Sequence, residues 1–122
     1  MVFCDVRRCH KRLDGVVIEN SNFTEILKRY DRKQTVFFCD PPYLDTAQYQ
    51  QVFGYDQHQL LAEKLLAIKG KFLLTINDHK KIRQLYKGCS IRNYKIKYTV
   101  AGKDAKDFGE LIIANYPLPR KW

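Results

Sequence analysis

Asp40, Pro41, Pro42 and Tyr43 follow directly on the apolar run Thr35–Cys39. Pro41 precedes a second proline, which pushes it into the extended region, and neither proline has an N–H to donate. The segment is therefore stiff and rich in acceptors. It offers the Asp40 carboxylate, the Pro41 carbonyl and the Tyr43 ring. Two acceptors beside a ring suit a planar group that carries an NH2, such as the exocyclic amine of a nucleobase. One hydrogen would go to Asp40, the other to the Pro41 carbonyl, and the base would stack on Tyr43. Acceptors placed this way favour a more tetrahedral nitrogen, whose lone pair is freed to attack an electrophile. A base inside a duplex cannot reach such a pocket and has to be flipped out. The plainer reading is a strand-ending turn, since Asp-Pro and Pro-Pro both mark turns and a tyrosine can simply pack.

The elements around this turn alternate. Residues 15–20, GVVIEN, read as a short strand. Residues 22–31 read as a helix, with Asn22 as N-cap, Glu25 at capping-box spacing, and Ile26, Leu27 and Tyr30 on one face. The run 35–39 is apolar throughout, as a strand covered on both faces must be. A loop over 44–55 follows, with the character of a mobile flap. Asp56 then caps a helix through Ile68 that turns Leu60, Leu61, Leu65 and Ile68 inward, and Gly70 ends it. KFLLTIN, 71–77, is a third strand. A helix over 78–88 has Asp78 as its N-cap. Residues 90–100 alternate as a half-exposed strand with a basic outer face, and 110–116 form a closing buried strand. This order predicts an α/β fold in one domain: a mostly parallel sheet with a C-terminal antiparallel hairpin.

The chain has 122 residues and a net charge of +9, with 45% hydrophobic and 29% charged residues, which is a globular composition suited to polyanionic partners, above all nucleic acid. No apolar run is long enough to span a membrane, and the N-terminus lacks a signal-peptide core, so a cytoplasmic location is expected. Cys4, Cys9, Cys39 and Cys89 suit free thiols in a reducing compartment. Cys4, Cys9 and His10 lack a second ligand pair at zinc spacing, so no metal is expected. His10, His58 and His79 form no triad or H-x-x-x-H grouping, and His58 and His79 read as surface residues. No two glycines make a G-x-G, so a cofactor-cradling turn of that kind is absent.

The stretches RLDGVVIENSNF, DPPY, GKFLLTIND, YTVAGK and GELIIANY follow one another in that order. In them the chain resembles the C-terminal part of Dam-type DNA adenine-N6 methyltransferases, common in bacteria and phages. The resemblance covers nearly the whole chain. It implies part of a Rossmann-like, S-adenosylmethionine-dependent fold that transfers a methyl group to N6 of adenine in DNA at specific sites. By that resemblance Asp40, Pro41 and Tyr43 hold the target amine and its base, and Pro42 keeps the turn rigid. Asn22 and Phe23 stand where relatives carry an acid and a phenylalanine for the cofactor, with Asp40 nearby. Here the acid is an amide, which still accepts one hydrogen bond but also explains itself as a helix cap. By the same resemblance Asn77 falls near the pocket as a substrate-binding candidate. Tyr98, Lys103 and Lys106 fall where relatives approach the flipped base or the DNA backbone, and they read equally well as core and solvated loop residues.

Relatives also carry a Phe-x-Gly-x-Gly turn and a DNA-recognition segment, and neither is found in this sequence. A complementing N-terminal half, or self-association over an uncovered apolar edge, is therefore expected, with weak or no activity for the chain alone. The alternatives are a non-catalytic nucleic-acid-binding remnant, a subunit of a split methyltransferase, and a methyltransferase for RNA or for protein glutamine. The glutamine class carries Asn in place of Asp40.

Overall fold

The computed structural model describes residues 5–46, 52–97 and 107–120. Helix α1 covers Val6–Leu13 and α2 covers Phe23–Tyr30. Strand β1 is Val36–Cys39, α3 is Tyr55–Leu66, and β2 is Lys71–Asn77. Helix α4 is Lys80–Leu85, and the strands β3, Ser90–Lys97, and β4, Asp107–Ala114, follow. Helix α1 has no counterpart in the sequence reading. Asp5 caps it by accepting from the Arg7 N–H, and it buries no residue. The capping of α2 is as expected, with the Asn22 side chain accepting from the Thr24 N–H.

The four strands form one sheet in the order β1-β2-β4-β3. β1 pairs with β2 in parallel, and β4 pairs antiparallel with both β2 and β3. The sheet is mixed, and the expectation of a mostly parallel one is corrected. The predicted terminal antiparallel pair exists, but its second strand does not lie at the edge. β4 inserts between β2 and β3, so two of the three pairings become antiparallel although β1, β2 and β3 run the same way. The crossover β2-α4-β3 leaves a one-strand gap that β4 fills.

One face of the sheet carries the core. Phe72, Leu74 and Ile76 of β2 alternate onto it, together with Leu111 and Ile113 of β4, all fully buried. Leu61 and Leu65 of α3, Ile82 of α4 and Tyr86 close over them. Each large side chain buried there stabilises the fold by about 1.5–3 kcal/mol. The opposite face is less covered. Val36 and Phe38 are 61% and 68% exposed, so β1 is not covered on both faces among the described residues.

Further expectations are corrected. Residues 16–20 form no strand, and Val16, Val17 and Ile18 are exposed. A strand requires a partner ladder, and none meets them among the described residues. Glu19 instead ties this segment to α2, accepting from Arg29 at 2.9 Å and from the Tyr30 hydroxyl at 2.8 Å. Helix α3 has Gly54 as its N-cap, with Asp56 in its first turn. Helix α4 is capped by His79, whose Nδ1 accepts from the Lys81 N–H at 3.1 Å. Asp78 is drawn away by Arg83, which reaches both its oxygens at 2.7 and 2.9 Å. Cys9 is disulfide-bonded, against the expectation of free thiols throughout, while Cys39 and Cys89 are free. No helix among the described residues is long and apolar enough to cross a membrane.

Gly70 does not terminate α3, whose C-cap is Ala67, but it is indispensable for the approach to β2. A Cβ there would lie 2.5 Å from the Thr35 carbonyl oxygen and 2.7 Å from that of Arg32. Both obstacles are backbone. Asp31 accepts from the Lys69 and Gly70 N–H groups and fixes the same corner. Gly70→Ala should therefore destabilise the fold by about 1–3 kcal/mol, read as a lower urea midpoint. An unchanged midpoint would contradict this packing.

Candidate active site

Strand β1 ends opposite Leu74 of β2, and the turn Asp40–Leu44 leaves from there while β2 runs on to Asn77. Strand β2 supplies the groups that hold it. Phe72, Leu74 and Ile76 point into the core, so Thr75 and Asn77 emerge together on the other face. The Thr75 hydroxyl donates to Asp40 Oδ1 at 2.9 Å. Asp40 Oδ2 has no hydrogen-bond partner among the described residues. At the far end of the turn, Asn77 Oδ1 accepts from the Leu44 N–H at 2.9 Å, and Asn77 Nδ2 donates to the Leu44 carbonyl at 3.0 Å. The next loop residues are tied down too. Thr46 donates to the Tyr43 carbonyl at 3.0 Å, and His79 Nε2 donates to Asp45 at 2.9 Å.

His58 reaches the middle of the turn. It is 2% exposed, which corrects its reading as a surface residue. Burial lowers its pKa, and a hydrogen bond to the Pro42 carbonyl partly opposes that shift. Its Nε2 is buried with no partner among the described residues, which favours a neutral ring whose proton sits on Nδ1, toward the Pro42 carbonyl. The Phe53 ring meets it edge-on at 4.8 Å, and Phe53 in turn lies 6.0 Å from Phe23.

A cavity of about 320 Å³ opens beside the turn, lined by Phe23, Phe37, Phe38, Asp40, Pro41 and Phe53 among others. Its walls are mostly apolar, with four phenylalanines and one carboxylate among them. A larger groove of about 430 Å³ lies between α2 and α3 but includes no residue of the turn. A flat aromatic ligand with a cationic or amine-bearing portion fits the cavity at Asp40 better than the groove.

Of the residues singled out from the sequence, Asp40, Pro41 and Phe23 meet at this cavity. Pro42 is held through its carbonyl, and Tyr43 is half-buried against the core. Asn22 Oδ1 is occupied with the Thr24 N–H and hydroxyl, so its cap role holds in this structure. Asn77 is nearby, but both ends of its amide are taken by Leu44. Tyr98, Lys103 and Lys106 lie outside the described residues, as does the stretch 47–51 within the expected flap.

Thr75, His58, Phe53 and Glu110 were not recognised from the sequence. For Thr75 a signal existed, since it alternates with core residues in KFLLTIN. Glu110 sits opposite Asn77 on β2 and opposite Tyr94 on β3. It is 4% exposed, and the Tyr94 hydroxyl donates to it. Burial, and then the charge of Asp40, raise its pKa. Burial also pushes the Cys39 thiol up to about 11, which keeps it protonated and unsuited to nucleophilic attack. No group of three or more potential metal ligands occurs among the described residues.

A family profile described as D12 class N6 adenine-specific DNA methyltransferase matches residues 6–100. The chain is also similar to the type II methyltransferase M.CviBI of Paramecium bursaria Chlorella virus NC1A, with 31% identity over 110 residues. The match takes in 84% of this chain and 42% of that relative, so the chain spans less than half the relative's length.

Glu110 gives a pH prediction. The folded state prefers its protonated form, while the unfolded chain releases the proton near the ordinary value of 4.5. Its contribution to stability is thus full below pH 4.5 and is lost as pH rises through the raised folded value. Glu110→Gln should flatten the decline of the thermal midpoint above pH 4.5. An identical decline in both proteins would contradict the raised pKa.

Proposed function

The chain belongs to the D12 class of N6 adenine-specific DNA methyltransferases, and on that footing we propose that it is the target-amine portion of such an enzyme. The proposed reaction moves a methyl group from S-adenosylmethionine to N6 of a flipped-out adenine in DNA, at specific sites. In this reading the chain is the C-terminal portion of a methyltransferase catalytic domain with a Rossmann-like sheet. The observation that carries the reading is Asp40 and Pro41 standing at the aromatic cavity, with one Asp40 oxygen held by Thr75 and the other open.

Asp40 Oδ2 and the Pro41 carbonyl accept the two amine hydrogens. This draws the nitrogen lone pair out of conjugation with the ring. The Asp40 charge then stabilises the positive charge that develops on the nitrogen. Tyr43 stacks on the base, and Pro42 restricts the backbone between the two acceptors. Phe23 and Phe53 offer aromatic surface, and Asp40 a negative charge, to the cofactor. When bound, S-adenosylmethionine supplies an electrophilic methyl group on a sulfonium. The net charge of +9 favours a polyanionic substrate such as DNA over a neutral protein.

The exposed Val36 and Phe38 on the less-covered sheet face support a further polypeptide there, either a complementing N-terminal half or a second copy. The chain alone is then weakly active or inactive. The net charge of +9 favours a second reading, in which the chain is a nucleic-acid-binding subunit without activity of its own.

Calorimetric titration with S-adenosylmethionine tests the cofactor assignment. Saturable binding is expected, weakened about tenfold or more in Phe23→Ala, which removes one aromatic wall of the cavity. Equal binding by the wild type and Phe23→Ala would overturn the assignment of this cavity. The second reading instead expects no cofactor binding, together with DNA binding that falls steeply with salt.

A further inference from the structure

We infer that Asn77 is a positioning residue for the target amine, acting through the Leu44 backbone rather than by touching the base. The inference rests on the reading of the Asp40–Leu44 turn as the amine site and assigns a residue that this reading leaves without a role. The geometry is that of a strand pairing made by a side chain. Asn77 accepts from the Leu44 N–H at 2.9 Å and donates to the Leu44 carbonyl at 3.0 Å. The Leu44 N–H can meet only an acceptor, which fixes the orientation of the amide. Leu44 is 4% exposed, so water does not readily replace this partner.

The two ends of the turn are pinned to one strand. Asp40 is held by Thr75 and Leu44 by Asn77, two residues apart on the same face of β2. The Asp40 carboxylate and the Pro41 carbonyl belong to the span between these pins. His58 holds the Pro42 carbonyl from the α3 side. A carbonyl in such a span has its direction set by the pins, and a displacement of about an ångström is enough to spoil a reactive alignment. Asparagine is the residue this task requires. Aspartate matches its shape but offers only acceptors, so it keeps the bond from the Leu44 N–H and faces the Leu44 carbonyl without a donor. Alanine leaves both Leu44 groups unpartnered. With its paired edge spent on Leu44, the amide keeps one N–H and one lone pair that point apart, so it offers the base no paired donor and acceptor.

Two single strands test this: an oligothymidylate with one central deoxyadenosine, and the same strand with purine deoxyriboside, which lacks the 6-amino group. Both are titrated in excess S-adenosylhomocysteine, so that any cofactor site is filled. The wild type should prefer the adenine strand by about tenfold, the value of the amine's hydrogen bonds. Asn77→Ala and Asn77→Asp should reduce that preference to less than about threefold. Affinity for the purine strand should stay unchanged, because phosphate contacts carry it. Hydrogen exchange at the Leu44 amide should quicken in Asn77→Ala. If Asn77→Ala does not fold, Asn77→Asp decides. A full adenine preference in the folded variants would overturn the positioning role while leaving the amine site intact. No preference in the wild type would overturn the amine site itself, and this inference with it.

Discussion

Thr75 and Asn77 project from one face of β2 and fasten the two ends of the turn that follows β1. Much else in the fold serves to bring these groups together. The parallel pairing of β1 with β2 sets Cys39 opposite Leu74, so β2 runs on beyond the end of β1 and carries Thr75 and Asn77 alongside the turn. The fully buried Phe72, Leu74 and Ile76 fix which face of β2 is which, and a slip by one residue would turn Thr75 and Asn77 into the core. Gly70 and Asp31 set where β2 begins, and through that the register of the strand. The chemistry of the turn therefore depends on a packing choice made on the opposite side of the sheet.

The sheet is asymmetric. Helices α2, α3 and α4 all contribute to a single core cluster on one face, while Val36 and Phe38 stand exposed on the other. That other face also carries the buried Glu110 and its partner Tyr94, so it combines a buried acid behind the site with apolar surface at its edge. A polypeptide that covered Val36 and Phe38 would pack alongside the strand that leads into Asp40. Coverage of the sheet and completion of the site are thus coupled through β1.

Local chemistry was the most legible part of the sequence. The Asn22 cap and the α2 helix depend on contacts two to four residues apart, and both could be read directly. So could β2, an apolar run bounded by Gly70 and Asp78. Features decided by distant partners were not legible. The insertion of β4 between β2 and β3 leaves no trace in the order of elements. Residues 15–20 have strand composition but no ladder to join among the described residues. His58 reads as polar at a helix start, and only Phe53 and the Pro42 carbonyl reveal it as buried. Asp78 and His79 are adjacent cap candidates, and the choice between them is made by Arg83, whose guanidinium takes the Asp78 carboxylate. At the site itself, Asp-Pro-Pro-Tyr announced acceptors beside a ring. The clamp that aims them comes from thirty-three residues further on and needed the fold to become visible.

The central claim is that the Asp40–Tyr43 turn holds an adenine amine while it is methylated. The most direct measurement incubates the protein with DNA and S-adenosylmethionine carrying an isotopically labelled methyl group, then digests the DNA and identifies the labelled nucleoside by mass spectrometry. Parallel reactions contain Asp40→Ala, and a complementing methyltransferase half where the chain alone is silent. The account predicts label in N6-methyldeoxyadenosine alone, and none with Asp40→Ala. Label in another nucleoside, or N6-methyldeoxyadenosine formed equally well by Asp40→Ala, would contradict it.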